Sequence, residues 1–193
     1  MVFLPDPSAV FDRMKAICAA HGLEGAAPLD NQIDLTGVAP GKGLCERIVR
    51  ADIDLMRRVD AGVFCLDGFR RGPEMDPGTA FEVGFMAALG KPMAGWTRDP
   101  LPYPRRVEAF FHSVFGAGLM VAQAGTMGAT SGAARDPDGV LVHSEGCVQN
   151  AMVHVGIEMS GGVVVADPDW EAAFTAAIAA LARRLLGPPR AGN

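Results

Sequence analysis

Apolar residues recur along this chain at two different spacings, which predict helices and buried strands in turn. Val10, Met14 and Ile17 follow the helical period and Gly22 ends it, so a first helix is expected over 6–21. The same period returns in later stretches between strand or turn signals. The predicted helices cover residues 6–21, 43–59, 78–89, 107–115, 148–159 and 169–186.

Short runs of apolar residues lie between these helices. The run Ala-Gly-Val-Phe-Cys-Leu at 61–66 is bounded by turn residues, which is typical of a buried parallel strand. Similar runs follow at 92–96 and 162–166, and a shorter one at 26–29 is a further strand candidate. Helices that alternate with such strands predict an α/β fold with a doubly wound, flavodoxin- or Rossmann-like parallel sheet flanked by helices.

The length of 193 residues suits one well-cored domain. We expect this domain to cover residues 1–187 and to be followed by a loose tail over 188–193. The stretch 115–134 is rich in glycine and has little periodicity, which indicates a flexible loop or insertion and argues against a membrane span.

Charge and composition argue against several classes of function. The formal net charge is −5 and no run of Lys and Arg stands out, so a nucleic acid polymer is not expected as a partner. No signal peptide is visible, and the cysteines form no CxxC pair or zinc-ligand spacing, which fits a reducing cytoplasm. The histidines also lack metal-binding spacing, and no motif indicates a cofactor or a metal.

Residues 76–92 carry the most informative chemistry of the chain. Asp76 and Glu82 stand at the start of a predicted helix that follows a buried strand. A carboxylate there faces the crevice in which open α/β sheets hold their ligands, which suits a nucleophile. A purely structural interpretation is also available, because Thr79 to Glu82 matches a capping box and Asp76 followed by proline matches an N-cap. The two start signals overlap, so only one of them can cap the helix and one acidic residue is left free.

Asp52 lies in the middle of the predicted helix over 43–59. Aspartate is a poor residue for that place, because its side chain competes for the backbone. Its spacing from Ile48 and Leu55 puts it close to the apolar side of the helix. A carboxylate in such a position needs a partner or a ligand, although a solvated charge is the simpler interpretation.

The motif at 76–92 resembles the signature of the nucleoside 2-deoxyribosyltransferase family, which reads Asp-Ser-Gly-Thr-Ala-Phe-Glu and continues to Gly-Lys-Pro after the helix. In this chain Pro77 stands in place of the serine. The resemblance covers most of residues 2–165 and is weakest between 97 and 140. Its further segments, in the family's order, are Pro28-Leu29-Asp30-Asn31, residues 48–60 with Asp52, and residues 148–152 with Asn150 and Met152.

The resemblance implies a retaining double displacement, in which Glu82 forms a covalent 2-deoxyribosyl ester and a second base then takes the sugar. Asp52 or Asp76 would hold and protonate the leaving base. The implied substrate-binding residues are Asn150, Met152, Gly78 and Phe3. In this family the asparagine often reaches across a subunit boundary, so a homo-oligomer with shared active sites is expected. The implied partners are a small-molecule nucleoside and a free nucleobase.

The family's first strand, which reads like Tyr-Leu-Ala-Gly-Pro, has no counterpart before Met1-Val2-Phe3-Leu4-Pro5. The fold expected from the resemblance therefore lacks that strand at its N-terminus, with Phe3 as the remaining candidate for this part of the pocket. Either the start is set too far downstream, which we expect, or the protein has lost part of its base pocket. Two other functions stay open at this point. One is an N-glycoside hydrolase that uses the same nucleophile on nucleosides or nucleotides, and the other is a nucleoside- or nucleotide-binding module without turnover.

Overall fold

The computed structural model describes residues 5–30, 36–121, 134–142 and 146–187. The expectations for Phe3 and the N-terminal strand, for Asn31 and for the tail over 188–193 lie outside the described residues. In chain order the elements are α1 (Pro7–Ala20), a 3₁₀ turn (Pro28–Asp30), α2 (Lys42–Arg58), β1 (Gly62–Cys65), a second 3₁₀ turn (Phe69–Arg71), α3 (Pro77–Ala88), β2 (Met93–Thr97), α4 (Tyr103–Phe115), β3 (Met120–Val121), β4 (Ala134–Arg135), β5 (Leu141–Val142), α5 (Ala151–Met159), β6 (Val164–Ala166) and α6 (Trp170–Leu186).

The main sheet is parallel and places β2 between β1 and β6. Gly62 pairs with Met93 in the first ladder, and Gly95 pairs with Val164 in the second. A helix stands between successive strands of the sheet, as parallel pairing requires. This arrangement confirms the α/β class and the parallel sheet flanked by helices that the sequence predicts.

Two apolar clusters pack the helices onto opposite faces of this sheet. Successive residues of β2 point to alternate faces, so Met93 belongs to one cluster while Ala94 and Trp96 belong to the other. Trp96 is buried against α6, where its ring meets that of Phe174 edge-on with centroids 6.0 Å apart. Helices α1 and α6 therefore cover one face, and α2, α3 and α5 contribute to the cluster on the other.

Two stretches differ from the sequence prediction. The run at 26–29 is a turn and not a strand, because the Asp30 carboxylate accepts a hydrogen bond from the Ala27 N–H (2.7 Å). The same carboxylate forms an ion pair with Lys15. The glycine-rich stretch at 115–134 borders a small antiparallel sheet, β3–β4–β5, that the sequence did not predict. Its strands are two residues long, which is too short for alternation to show.

The described part of the chain has no helix with the length and apolar character needed to cross a membrane. It likewise has no group of three or more His, Cys, Asp or Glu side chains arranged to hold a metal ion.

Candidate active site

Asp76 forms the N-cap of α3, the helix that carries the sequence motif. The Thr79 N–H donates to Asp76 Oδ2 (3.1 Å), and Pro77 occupies the first turn, where its missing N–H costs nothing. Thr79 therefore lies inside the helix and does not begin it. The capping-box interpretation of Thr79 and Glu82 is wrong for this reason. Of the two acidic residues, Glu82 is the one that does not cap the helix.

Gly78 leaves room for the capping carboxylate. A Cβ atom built on Gly78 would lie 2.8 Å from Asp76 Oδ2, closer than real Cβ contacts allow. Any other residue here would push the Asp76 side chain away from the helix N-terminus. Gly78 thus leaves the Asp76 side chain in place, and the role in binding substrate that the resemblance implies for Gly78 stays a prediction.

Asp52 lies half-buried on α2, which packs against α3. Met56, one turn further along α2, is buried in the same apolar cluster as Val83 and Met86 of α3. The half-buried position agrees with the sequence prediction that Asp52 sits near the apolar side of its helix. The packing of α2 on α3 brings together two carboxylates that are thirty positions apart in the sequence.

The three carboxylates act on one another electrostatically. Burial is the largest cause, and together with the negative charges of Asp52 and Asp76 it raises the pKa of Glu82 from its ordinary value of 4.5 to about 7. Glu82 is therefore poised to exchange its proton near neutral pH. A cluster of this kind, with one strongly perturbed member, is characteristic of catalytic sites.

The raised pKa predicts a pH-dependent difference in stability between the protein and Glu82→Gln. The carboxyl of the unfolded chain loses its proton near pH 4.5, whereas the folded one holds it up to about pH 7. The folded state binds more protons in that window, so the wild type loses stability as the pH rises through it. Because Glu82 is only half-buried, we expect the glutamine variant to match the wild type below the window and to be about 2 kcal/mol more stable above it. Denaturant unfolding below, within and above the window measures this, and a difference that does not change with pH would contradict it.

Asn150 and Met152 occupy the start of α5. Asn150 is the N-cap, and its Oδ1 accepts a hydrogen bond from the Met152 N–H (3.0 Å). Both residues are exposed, and the exposed fraction of Met152 is 84%. Helix α5 packs on α3, the helix that carries Glu82, so both residues stand on an element next to the one with the nucleophile. Their roles in binding the substrate stay predictions.

Two buried polar residues that the sequence did not signal hold the loop between β1 and α3. Gln149 Nε2 donates to the carbonyl oxygens of Leu66 (3.2 Å) and Pro73 (2.9 Å), and Arg106 Nη1 donates to that of Leu66 (3.1 Å). The loop leads directly into Asp76. Because the acceptors are backbone carbonyls far away in the sequence, no motif could have identified these contacts.

A cavity of about 450 Å³ lies outside the carboxyl ends of the parallel strands, lined by residues that include Asp67, Arg98 and Asp99. The three clustered carboxylates are not among its lining residues. Asp67 is already engaged there, because it accepts hydrogen bonds from Thr97 Oγ1 (3.0 Å) and from the Arg98 backbone and side chain. We therefore place the candidate active site at Glu82 and treat this cavity as a separate feature of the same sheet edge.

Residues 1–152 match the family model described as nucleoside 2-deoxyribosyltransferase. The chain belongs to the nucleoside 2-deoxyribosyltransferase family. The matched region contains Asp52, Asp76, Glu82, Asn150 and Met152. The family that the motif at 76–92 resembles is thereby confirmed.

Two known proteins are similar to this chain over most of its length. An uncharacterized protein of Schizosaccharomyces pombe is 46% identical over 185 residues, which cover 96% of this chain and 86% of that protein. Among solved structures, the 2-desoxiribosyltransferase from Leishmania mexicana is similar with a TM-score of 0.57 and 27% identity, over 92% of this chain and 91% of that one. Family membership and this fold indicate an enzyme with nucleoside deoxyribosyltransferase-like activity, for which nucleosides and nucleobases are the small-molecule substrates.

Proposed function

We propose that this protein transfers a 2-deoxyribosyl group between nucleobases through a covalent ester on Glu82, with retention of configuration. The observation that carries the proposal is the half-buried Glu82 carboxyl, whose pKa near 7 reflects burial and the nearby charges of Asp52 and Asp76. A carboxylate in these surroundings suits both steps of a double displacement. When ionised it attacks C1′ of the sugar, and in the second step it is the leaving group of the sugar ester.

In the first step, an Oε atom of Glu82 attacks C1′ of the 2′-deoxynucleoside. The bond between C1′ and the base nitrogen breaks, and its electron pair leaves with the base through an oxocarbenium-like state. The departing base needs a proton. Asp52 or Asp76 takes the proton that Glu82 gives up as it ionises, and passes it on to the base. One oxygen of Asp76 accepts the Thr79 N–H, so its other oxygen is the one that faces the base.

In the second step, a nitrogen of the acceptor base attacks C1′ from the side that the first base left. The ester bond breaks, Glu82 recovers its carboxylate, and the proton of the acceptor nitrogen returns to the carboxylate that gave one up. Two inversions at C1′ produce net retention. Water in place of the acceptor base would give hydrolysis through the same intermediate.

The proposed active site is shared between two copies of the chain. Four large apolar residues are exposed on the two adjacent helices α3 and α5; they are Phe81 (54% exposed), Met152 (84%), Val155 (38%) and Met159 (83%). Exposed large apolar residues on neighbouring helices are typical of an interface. A second copy seated on these residues would bring its own Asn150 and Met152 to the active site of the first.

A charge placed among these exposed residues is expected to separate the copies. Met152→Glu puts an anion in the first turn of α5, and Met159→Lys puts a cation in its last turn, so each charge suits the helix dipole and folding is retained. We expect the wild type to be an oligomer and each variant to be a monomer that has lost base exchange. Light scattering coupled to size exclusion measures the mass. Leu186→Lys, at an exposed apolar position at the end of α6, is the matched control and should remain oligomeric. A monomeric wild type that exchanges bases would contradict the shared site.

The proposed reaction is tested by incubating a 2′-deoxynucleoside with the protein, with and without a free acceptor base. We expect a new nucleoside only when the acceptor is present, and an acid-quenched digest in which the peptide that carries Glu82 has gained a deoxyribosyl group. Base release at equal rates with and without acceptor, and no exchange product, would make the protein a hydrolase. Binding of nucleoside with neither product nor adduct would make it a binding module.

A further inference from the structure

Lys91 is bound to the end of the neighbouring helix α2. Its Nζ donates to the carbonyl oxygens of Met56 (2.7 Å), Arg57 (2.7 Å) and Val59. These acceptors are the last carbonyls of α2, which have no partner within the helix. The Lys91 ammonium therefore uses all of its donors to cap α2.

Helix α2 depends on this end for its position. Met56 is the one buried residue along its described length, and its N-cap, Gly41, makes no side-chain capping bond. The other contacts with α3 also lie towards the C-terminal end, where Ile53 and Val59 pack on the shared cluster and the Arg57 guanidinium stands 5.9 Å from the centre of the Phe85 ring. Because Asp52 lies one turn before Met56, its distance from Glu82 depends on how firmly this end is held.

Lys91 is itself fixed to the end of α3 by backbone bonds. The Gly90 N–H donates to Ala87 O (2.9 Å) and the Lys91 N–H donates to Met86 O (3.1 Å), which together form a Schellman motif. Gly90 adopts the positive φ of 67° that this motif requires. The Lys91 side chain thus joins the C-terminal ends of the two helices that carry Asp52 and Glu82.

We propose that Lys91 is a positioning residue that holds α2, and with it Asp52, at a fixed distance from Glu82. The inference rests on the proposed function, since it assigns to Lys91 the geometry of that same site. Lys91 does not touch the substrate. It acts through the backbone of α2, and its removal would let α2, which has a single buried residue, move away from α3.

The pKa of Glu82 depends on how close Asp52 lies, and it can be measured without any catalytic turnover. Asp52 and Asp76 are the described charged groups that act on it. If α2 moves away in Lys91→Met, Glu82 becomes less buried and the repulsion from Asp52 weakens, so the pKa of Glu82 falls by about half a unit. Loss of a nearby positive charge alone would raise the pKa instead, so the sign of the shift separates positioning from a direct electrostatic effect.

Carbon-13 NMR of glutamate-labelled, substrate-free protein measures this pKa, with Glu82→Gln identifying the resonance. We expect a fall in Lys91→Met and a value near the wild type in Lys91→Arg, which keeps several donors. Lys15→Met is the matched control, because Lys15 makes an ion pair with Asp30 away from the site and its loss should leave the pKa unchanged. If Lys91→Met does not fold, Lys91→Gln, which keeps an amide donor, takes its place and a smaller fall is expected.

The same titration in an Asp52→Asn background decides whether Lys91 acts through Asp52. We expect a smaller fall when Lys91→Met is added to Asp52→Asn, because the charge that Lys91 positions is already absent and only the change in burial remains. An equally large fall in both backgrounds, or an unchanged or raised pKa in Lys91→Met, would overturn the proposal. Base exchange by the wild type is assayed separately, so its absence would count against the proposed function while the titration still tests Lys91.

Discussion

Glu82→Gln is expected to abolish base exchange while leaving the protein folded. The amide is isosteric with the carboxylic acid but cannot form the sugar ester, so kcat should fall by at least about 10⁴-fold. Folding should be retained, because removing a half-buried charge relieves the burial cost and the repulsion that raise the pKa of Glu82. Measurement of the new nucleoside by chromatography, over a long time course, gives the residual rate.

A matched substitution shows that the loss is specific to this carboxylate. Glu171→Gln, on α6 at the opposite face of the sheet, removes a carboxylate that pairs with Arg13 (2.6 Å) and should leave exchange unchanged. Residual activity of Glu82→Gln within a factor of ten of the wild type would show that Glu82 is not the nucleophile. Asp52→Asn and Asp76→Asn would then identify which of its neighbours forms the ester.

The sequence predicted the parts of the site that lie within one element. The order of Asp76, Pro77 and Glu82 predicts a capped helix with a free acidic residue near its start, because capping is a local interaction. It left open which acidic residue caps, and the first-turn proline and the Thr79 N–H resolve this in favour of Asp76. Local chemistry of this kind can be read without knowing the fold.

The parts of the site that join different elements could not be predicted in the same way. The mid-helix position of Asp52 indicated a carboxylate near an apolar side, but its effect on Glu82 depends on the packing of α2 on α3. The role of Lys91 is set by carbonyls more than thirty positions earlier in the chain. The strand prediction at 26–29 failed for a related reason, since the Asp30 carboxylate closes a turn there in a way that apolar composition does not show.

Gly68→Ala is expected to disturb the site through the loop that leads to Asp76. The φ of Gly68 is −57°, which any residue can adopt, so its need for glycine comes from space alone. A Cβ atom here would lie 2.2 Å from the carbonyl oxygen of Gly72, and backbone cannot yield as a flexible side chain does. The loop must therefore shift, at an expected cost of about 3 kcal/mol in the free energy of unfolding.

A shift of this loop is expected to lower the activity, because one side chain binds both of its ends and Asp76 follows directly. Gln149 binds Leu66 before Gly68 and Pro73 after it, and Asp76 follows within three residues. A displacement of about 1 Å at Asp76 would lower kcat/KM by about 10²-fold. Denaturant unfolding and base exchange, measured on the same preparation, give the two effects.

Gly43→Ala is the matched control for this loop substitution. Gly43 lies in the first turn of α2, and no described atom comes within 4 Å of the place that a Cβ would take. Alanine there should raise stability by up to about 1 kcal/mol and leave exchange unchanged. If Gly68→Ala were as stable and active as Gly43→Ala, the path of the loop would not determine where Asp76 lies. A loss of activity with unchanged stability would show instead that Gly68 leaves room for the substrate and not for Gly72.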